Sequence, residues 1–328
     1  MNIITKLKKS GLSGRSGNDF PVWKKWQAIK TAKAWPKYIV CNGSEGEPNV
    51  FKDEYILTHY LSEVIEGIKI AARELGAQKS YIYLNKKFYK KFKKSISLLV
   101  KKFPAKIFEG KEGYLAGEET SLLNALEGKR VEPRIKPPFP TEQGLWNKPT
   151  LINNVETFYW IAKIAKNEYR NEKFYCVSGE VKNPGVFNLP DNYSIKQILQ
   201  TTNNYSNFPF FVQAGGGAMG EILLPQELNQ PIGGPASIII FDKKKTDVWK
   251  LMNKWVTFLM KENCDRCTPC REGLYRLRDL IQTRTSDPKI LNDIFSVLER
   301  TSLCPFGQAA FTPFKSAWKK LIRHTDLK

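Results

Sequence analysis

No stretch of this chain approaches the roughly 20 apolar residues that cross a membrane. The longest tight apolar run, Ser237 to Phe241, is only strand length. The N-terminus, M-N-I-I-T-K-L-K-K-S, lacks the hydrophobic core of a signal peptide. The expectation is a soluble, cytoplasmic protein with no direct membrane insertion, peripheral to a membrane only through partner subunits. Histidine is nearly absent: His59 and His324 are the only two among 328 residues, and neither lies in a motif. Six cysteines are too few for a disulfide framework in a chain of this length. Internal repeats and low-complexity segments are missing. Acidic residues are also scarce, 32 against 52 lysines and arginines, which leaves a formal charge of +20. Such a charge suits nucleic acid or another anionic surface. However, lysine outnumbers arginine, the lysines are scattered, and no helix-turn-helix, RNA-recognition or zinc-finger pattern accompanies them. No specific nucleic-acid partner is expected. Solvated lysine faces account for the charge, and they would also favour acidic partner subunits and dinucleotide phosphates.

What is present is a cysteine pattern. Cys264, Cys267 and Cys270 stand at two-residue gaps in C-D-R-C-T-P-C-R-E-G, and Cys304 precedes Pro305 in L-C-P-F-G. Three thiolates on one tight segment and a fourth on a distant loop can cage a cubane iron–sulfur cluster. The rival is a structural zinc site with four cysteine ligands, although zinc ribbons usually present two separate C-x2-C knuckles. Cys41 and Cys176 sit alone in apolar surroundings, where buried, inert thiols are expected.

Hydrophobic periodicity divides the chain. Tyr38–Cys41 reads as a buried strand entering the loop N-G-S-E-G-E-P. Leu61 to Leu75 repeats at helical spacing up to Gly76. Tyr81–Leu84 is the next strand, followed by a lysine-rich helix with Phe88, Phe92, Ile96, Leu99 and Val100 on one side. Strand, helix, strand, helix predicts an α/β fold with a parallel sheet. Residues 139–150 read as an ordered irregular segment rich in Pro, Gly and Trp, with a helix near 154–166. Residues 173–243 alternate strand-like runs, an N-P-G turn and a short helix, as in a small α+β module. From about Asp247 onward the pattern is helical and carries the cysteine motif.

Three blocks, in order, resemble the flavoprotein subunit of the NADH dehydrogenase module of respiratory complex I, a type that occurs also in NAD-linked hydrogenases and formate dehydrogenases. They are Y-I-V-C-N-G-S-E-G-E-P-N-V-F-K-D (38–53), A-G-E-E-T-S-L-L-N-A-L-E-G-K-R continuing to G-L-W-N-K-P-T-L-I-N-N-V-E-T (116–157), and the cysteine motif with L-C-P-F-G-Q-A-A. The resemblance implies a multidomain α/β protein: a Rossmann-like FMN- and NADH-binding domain over 1–170, a small ubiquitin-like β-grasp module over 171–245, and a helical 4Fe–4S domain over 246–328. It implies hydride transfer from NADH to FMN, then single electrons to the cluster and on to a second iron–sulfur subunit of a multisubunit complex. Flavin is needed because nicotinamide gives two electrons together whereas a cluster takes one. The lack of a histidine base is harmless to that chemistry.

By the same resemblance, Gly117, Glu118 and Glu119 lie near flavin and nicotinamide, with Glu119 as the catalytic candidate. A bare backbone at Gly117 could approach a flat ring, though the same turn also reads as a helix cap. Asn42, Glu45 and Glu47 follow a strand end, where α/β folds bind ligands; Glu47 near a ribose would favour NADH over NADPH. Asn153 and Asn154 would address the flavin phosphate or ribityl chain. Lys136 suits a pyrophosphate, and Phe139 offers an aromatic face. Cys264, Cys267, Cys270 and Cys304 would hold the cluster.

The match departs in the glycine loop. Gly14, Arg15, Gly17, Phe20, Pro21, Lys25 and Trp26 keep the pattern G-R-G-G-A-G-F-P-T-G-x-K-W; Ser16, Asn18, Asp19, Val22 and Trp23 do not. Glycine loops bind phosphate through bare backbone amides. Asp19 sets a carboxylate near that phosphate, Trp23 adds bulk, and Ser44 stands where the family often has aspartate. Two accounts follow: FMN held by the remaining contacts, or a divergent relay with weak or lost FMN.

Overall fold

The computed structural model describes residues 2–17 and 19–322. Asn18, one of the departures in the glycine loop, and His324 lie outside the described residues. The chain divides into two compact units, Met1–Gly46 with Phe51–Phe174, and Glu47–Val50 with Tyr175–Lys328.

The first unit is built on four parallel strands, β1 (Tyr38–Gly43), β2 (Lys79–Leu84), β3 (Ala105–Glu109) and β4 (Thr150–Asn154), in the order β3-β2-β1-β4. Its helices are α1 (Ile3–Ser10), α2 (Val22–Thr31), α3 (Lys52–His59), α4 (Leu61–Leu75), α5 (Lys86–Leu99), α6 (Glu119–Leu126), α7 (Pro140–Gln143) and α8 (Val155–Ala165). Alternate strand residues point to opposite faces. Val40, Tyr81, Tyr83 and Ile152 form one core with Leu122, Leu123 and Leu126 of α6. On the other face, α4 and α8 pack on one another and on β1. At their crossing a Cβ on Gly67 would stand 1.9 Å from the Phe158 carbonyl oxygen, so only glycine permits the approach. Both faces are covered, as an all-parallel sheet requires. The chain moves outward from β1 to β3, then returns to the far side of β1 with β4. The reversal opens a crevice beyond the carboxyl ends of β1 and β4, the usual ligand position in such sheets.

The second unit holds a five-stranded mixed sheet. Its strands are β5 (Glu172–Gly179, entering from the first unit), β6 (Gly185–Pro190), β7 (Phe210–Ala214), β8 (Glu221–Leu223) and β9 (Ser237–Asp242), in the order β6-β5-β9-β7-β8. β5 runs parallel to β9, and β7 antiparallel to both β9 and β8. Helix α9 (Ile195–Thr201) lies against this sheet through Ile195, Ile198 and Leu199, which pack with Tyr175, Val177, Val212, Ile238 and Ile240. This is the β-grasp order. The same unit contains the helical end of the chain: α10 (Val248–Glu262), α11 (Thr268–Gln282), α12 (Pro288–Thr301), α13 (Pro305–Ala309) and α14 (Thr312–Ala317).

Candidate functional site

Strand register assembles the first site. Asn42 of β1 pairs with Asn154 of β4, and Cys41 with Asn153, so three carboxamides reach the crevice end together. Each amide has a different task. The Asn42 side chain donates to the Gly117 carbonyl (2.8 Å) and accepts the Ser44 N–H (3.1 Å), tying the 117–119 turn to the loop after β1. A Cβ on Gly117 would stand 2.7 Å from the Ser44 carbonyl oxygen, so the glycine is required for this contact. Asn154 caps α8 by accepting the Glu156 N–H (3.0 Å) and donates to the Asp53 carboxylate (2.6 Å). Asn153 is only 6% exposed, and its Nδ2 has no hydrogen-bond partner among the described residues. A buried amide donor left in this state is uncommon and calls for an acceptor from outside the chain.

Beneath the amides lies a buried ionic network that sequence reasoning missed. The Lys52 ammonium contacts Asp53 (2.6 Å), Glu156 (3.2 Å) and the Asn154 carboxamide oxygen (2.8 Å), with all three charged side chains buried. Burial opposes the charge on Lys52, but Asp53, Glu156 and Glu45 together hold its pKa above the ordinary value. Glu45 accepts the N–H groups of Asp53 (2.9 Å) and Glu54 (3.3 Å), capping α3. Burial, then the Asp53 charge, pushes its carboxyl upward. The only signal in the sequence was the K-D that closes the first block.

The acidic turn is both a cap and a charged surface. Glu118 Oε2 accepts the N–H groups of Thr120 (2.9 Å) and Ser121 (2.8 Å) at the start of α6. Lys136 bridges Glu118 (3.1 Å) and Glu119 (2.6 Å), and Lys25 reaches Glu119 from α2 (3.2 Å). Burial raises the Glu119 carboxyl, yet the ammonium groups of Lys25 and Lys136 outweigh it and hold it below the usual range. Burial likewise opposes the charge on Lys136, and Glu119 and Glu118 restore it above its ordinary value. Phe139 is half exposed, its backbone N–H held by Glu142 (3.1 Å).

The glycine loop is closed at its base by Gly14 N–H to Phe20 carbonyl (3.0 Å) and Val22 N–H to Leu12 carbonyl (3.0 Å), leaving Gly17, Asp19 and Phe20 exposed. Arg15 is turned inward: its guanidinium donates to the Tyr169 hydroxyl (2.9 Å) and the Glu172 carbonyl (3.3 Å). It anchors the loop. Trp23 is turned toward α1, with the Lys8 ammonium 5.1 Å from its ring centroid. Glu47 belongs to the second unit, where its carboxylate accepts the Ala218 N–H (2.8 Å) and the Met219 N–H (3.3 Å).

The second site is the cysteine cluster. Cys267 is the N-cap of α11, Cys270 lies in its first turn, and Cys304 is the N-cap of α13. Burial, then the negative charges of Cys267, Cys304 and Cys264, pushes the Cys270 thiol up to about 12. The four sulfurs thus feel one another. Among the described residues no three His, Cys, Asp or Glu side chains close round a single metal ion. A cube of irons and sulfides is wider than an ion and binds each thiolate to a different iron, so this spread suits the cube better than zinc. Cys41 and Cys176 are buried and free, as expected.

A parallel sheet with an amide-lined switch point and a separate four-cysteine site define an iron–sulfur flavoprotein. The Nuo51 FMN-binding domain matches residues 7–163, a span that includes the altered glycine loop, and the NADH-ubiquinone oxidoreductase-F iron-sulfur binding region matches 250–325. The chain is 30% identical over 366 residues to the second F-type subunit of the NADH-quinone oxidoreductase of Rhizobium meliloti (strain 1021), covering 97% of this chain and 86% of the relative. It is 32% identical over 377 residues to the F-type subunit of the Aquifex aeolicus (strain VF5) NADH-quinone oxidoreductase, covering 97% and 85%. An NAD+-reducing nickel–iron hydrogenase in its H2-reduced state superposes with a TM-score of 0.89 at 28% identity, over 96% of this chain and 60% of that one. The chain belongs to the family of F-type subunits of NADH-quinone oxidoreductases, oxidoreductase flavoproteins whose cofactors are FMN and a 4Fe–4S cluster.

Proposed function

We propose that the chain is the electron-input subunit of an NADH-oxidising complex. Three working parts serve it: residues 1–170 for FMN and NADH, 171–245 as the β-grasp module, and 246–328 for the cluster. Bound FMN would take a hydride from NADH and release single electrons, which the cluster accepts. Asn153 supports this reading best, because its buried amide donor, unpartnered among the described residues, faces the crevice where ribityl hydroxyls or phosphate supply acceptors. Gly14 and Gly17 would bring backbone amides to that phosphate, with Arg15 and Lys25 fixing the loop. Asn42 and Asn154 hold the surrounding turns in position. Lys25 and Lys136 keep Glu119 ionised, so its carboxylate can accept hydrogen bonds from the nicotinamide nucleotide. Phe139 offers its half-exposed ring for stacking.

Cys264, Cys267, Cys270 and Cys304 would ligate the cluster. One cluster cannot reach a distant acceptor, and the remaining cysteines, Cys41 and Cys176, are too few for another. A second iron–sulfur subunit of the same complex is therefore required. No helix among the described residues is long and apolar enough to cross a membrane; a cytoplasmic position, with attachment through partner subunits, suits the chain. The test is anaerobic purification, analysis for FMN, iron and sulfide, and titration with NADH. The expected result is a flavin spectrum that NADH bleaches. An iron–sulfur spectrum with no flavin after reconstitution overturns it.

A further inference from the structure

We infer that Ser302 donates a hydrogen bond to the sulfur shell of the cluster and thereby raises the cluster's reduction potential. The inference rests on the reading that the four cysteines are the ligands. Ser302 stands two residues before Cys304 and is 5% exposed. Its Oγ is buried and has no hydrogen-bond partner among the described residues. Its backbone is fully engaged: the N–H bonds the Leu298 carbonyl at the end of α12 (3.4 Å), and the carbonyl accepts from the Gln308 side chain (3.0 Å). The side chain therefore has a fixed base and a free hydroxyl.

Gly307 shows where that hydroxyl lies. A Cβ built there would stand 2.6 Å from Ser302 Oγ and 3.2 Å from Cys270 Cβ. The hydroxyl and the Cys270 side chain thus border the same glycine, within about 6 Å of each other, the sum of those distances. The space a side chain at 307 would fill is the space across which Ser302 faces the cysteines. A hydroxyl has one proton to donate, and leaving that bond unmade in a buried site is unfavourable. Thiolates and sulfides are the nearby acceptors of suitable charge. Hydrogen bonds to cluster sulfurs stabilise the more negative, reduced state. No proton is transferred; the cluster gains its electron against a fixed O–H dipole.

The experiment uses the full-length holoprotein, with cluster content measured as iron and sulfide, and a redox titration followed by EPR of the reduced cluster. Ser302→Ala should keep its cluster yet favour the oxidised form about tenfold more at a given potential, a downward shift of about 59 mV for one electron. An unchanged potential with full cluster content overturns the inference. Should Ser302→Ala assemble no cluster, Ser302→Thr and Ser302→Val decide, since they match in shape and differ in the hydroxyl. Threonine above valine supports the inference, and coincidence of the two rejects it. A wild-type protein that binds no iron and sulfide would instead overturn the ligand assignment itself.

Discussion

The Lys52 ammonium stands 3.2 Å from the Glu156 carboxylate, both side chains buried. Lys52 begins α3 and Glu156 lies in the first turn of α8, so this pair, with Asp53 and Asn154, joins the two helices that follow β1 and β4. Removing one partner leaves an uncompensated interior charge. Lys52→Met should destabilise the protein by about 3–5 kcal/mol, measured by chemical denaturation. A loss of less than about 1 kcal/mol, with Asp53 and Glu156 unchanged, would show that desolvation of the pair had cancelled its attraction.

Asn153 should separate stability from cofactor binding. Asn153→Leu removes a donor that no described residue uses, so the flavin-free chain should lose less than about 1 kcal/mol in thermal denaturation. Its affinity for FMN should fall about five- to tenfold, the contribution of one hydrogen bond, read by flavin fluorescence on titration. Equal affinity in the variant would mean that the amide faces something other than the flavin.

Glu119 sets a pH dependence. Its carboxyl is held below the ordinary value of 4.5, with burial opposing and Lys25 and Lys136 prevailing. Its contribution to stability is therefore complete above 4.5 and is lost as pH falls through the lowered folded value. Wild type should exceed Glu119→Gln by about 1 kcal/mol near neutrality, and the gap should close in acid. A gap that widens on acidification would mean the pair does not act as described.

The cysteines divide into ligands and bystanders. Cys304→Ser should lose most of its iron and acid-labile sulfide, with the visible absorbance, while Cys176→Ala should retain both. Retention of a full cluster by Cys304→Ser would displace Cys304 from the ligand set.

Much of this arrangement was legible in the sequence. The strand at Tyr38–Cys41, the helix ended by Gly76 and the strand at Tyr81–Leu84 appear where periodicity put them. The cysteine spacing carried the cluster, because C-x2-C-x2-C is local geometry. Strand β4 escaped notice: five residues ending in two asparagines read as a turn before a helix, yet it forms one wall of the switch point. Strands β3, β7 and β8 are similarly short and only register with their neighbours makes them strands.

Sequence alone determined the chemistry available: four thiols at cluster spacing, paired glutamates behind a glycine, and paired asparagines. It also determined the family through three ordered blocks. Tertiary structure decided the allocation of tasks among those groups. Arg15, a natural phosphate ligand by type, is engaged by Tyr169 and Glu172; Glu45 and Glu118 cap helices; Asn153 alone of three amides keeps an unpartnered donor among the described residues. The reason is that hydrogen bonds and ion pairs depend on distances between residues far apart in the chain, which residue identity does not encode until strands are in register.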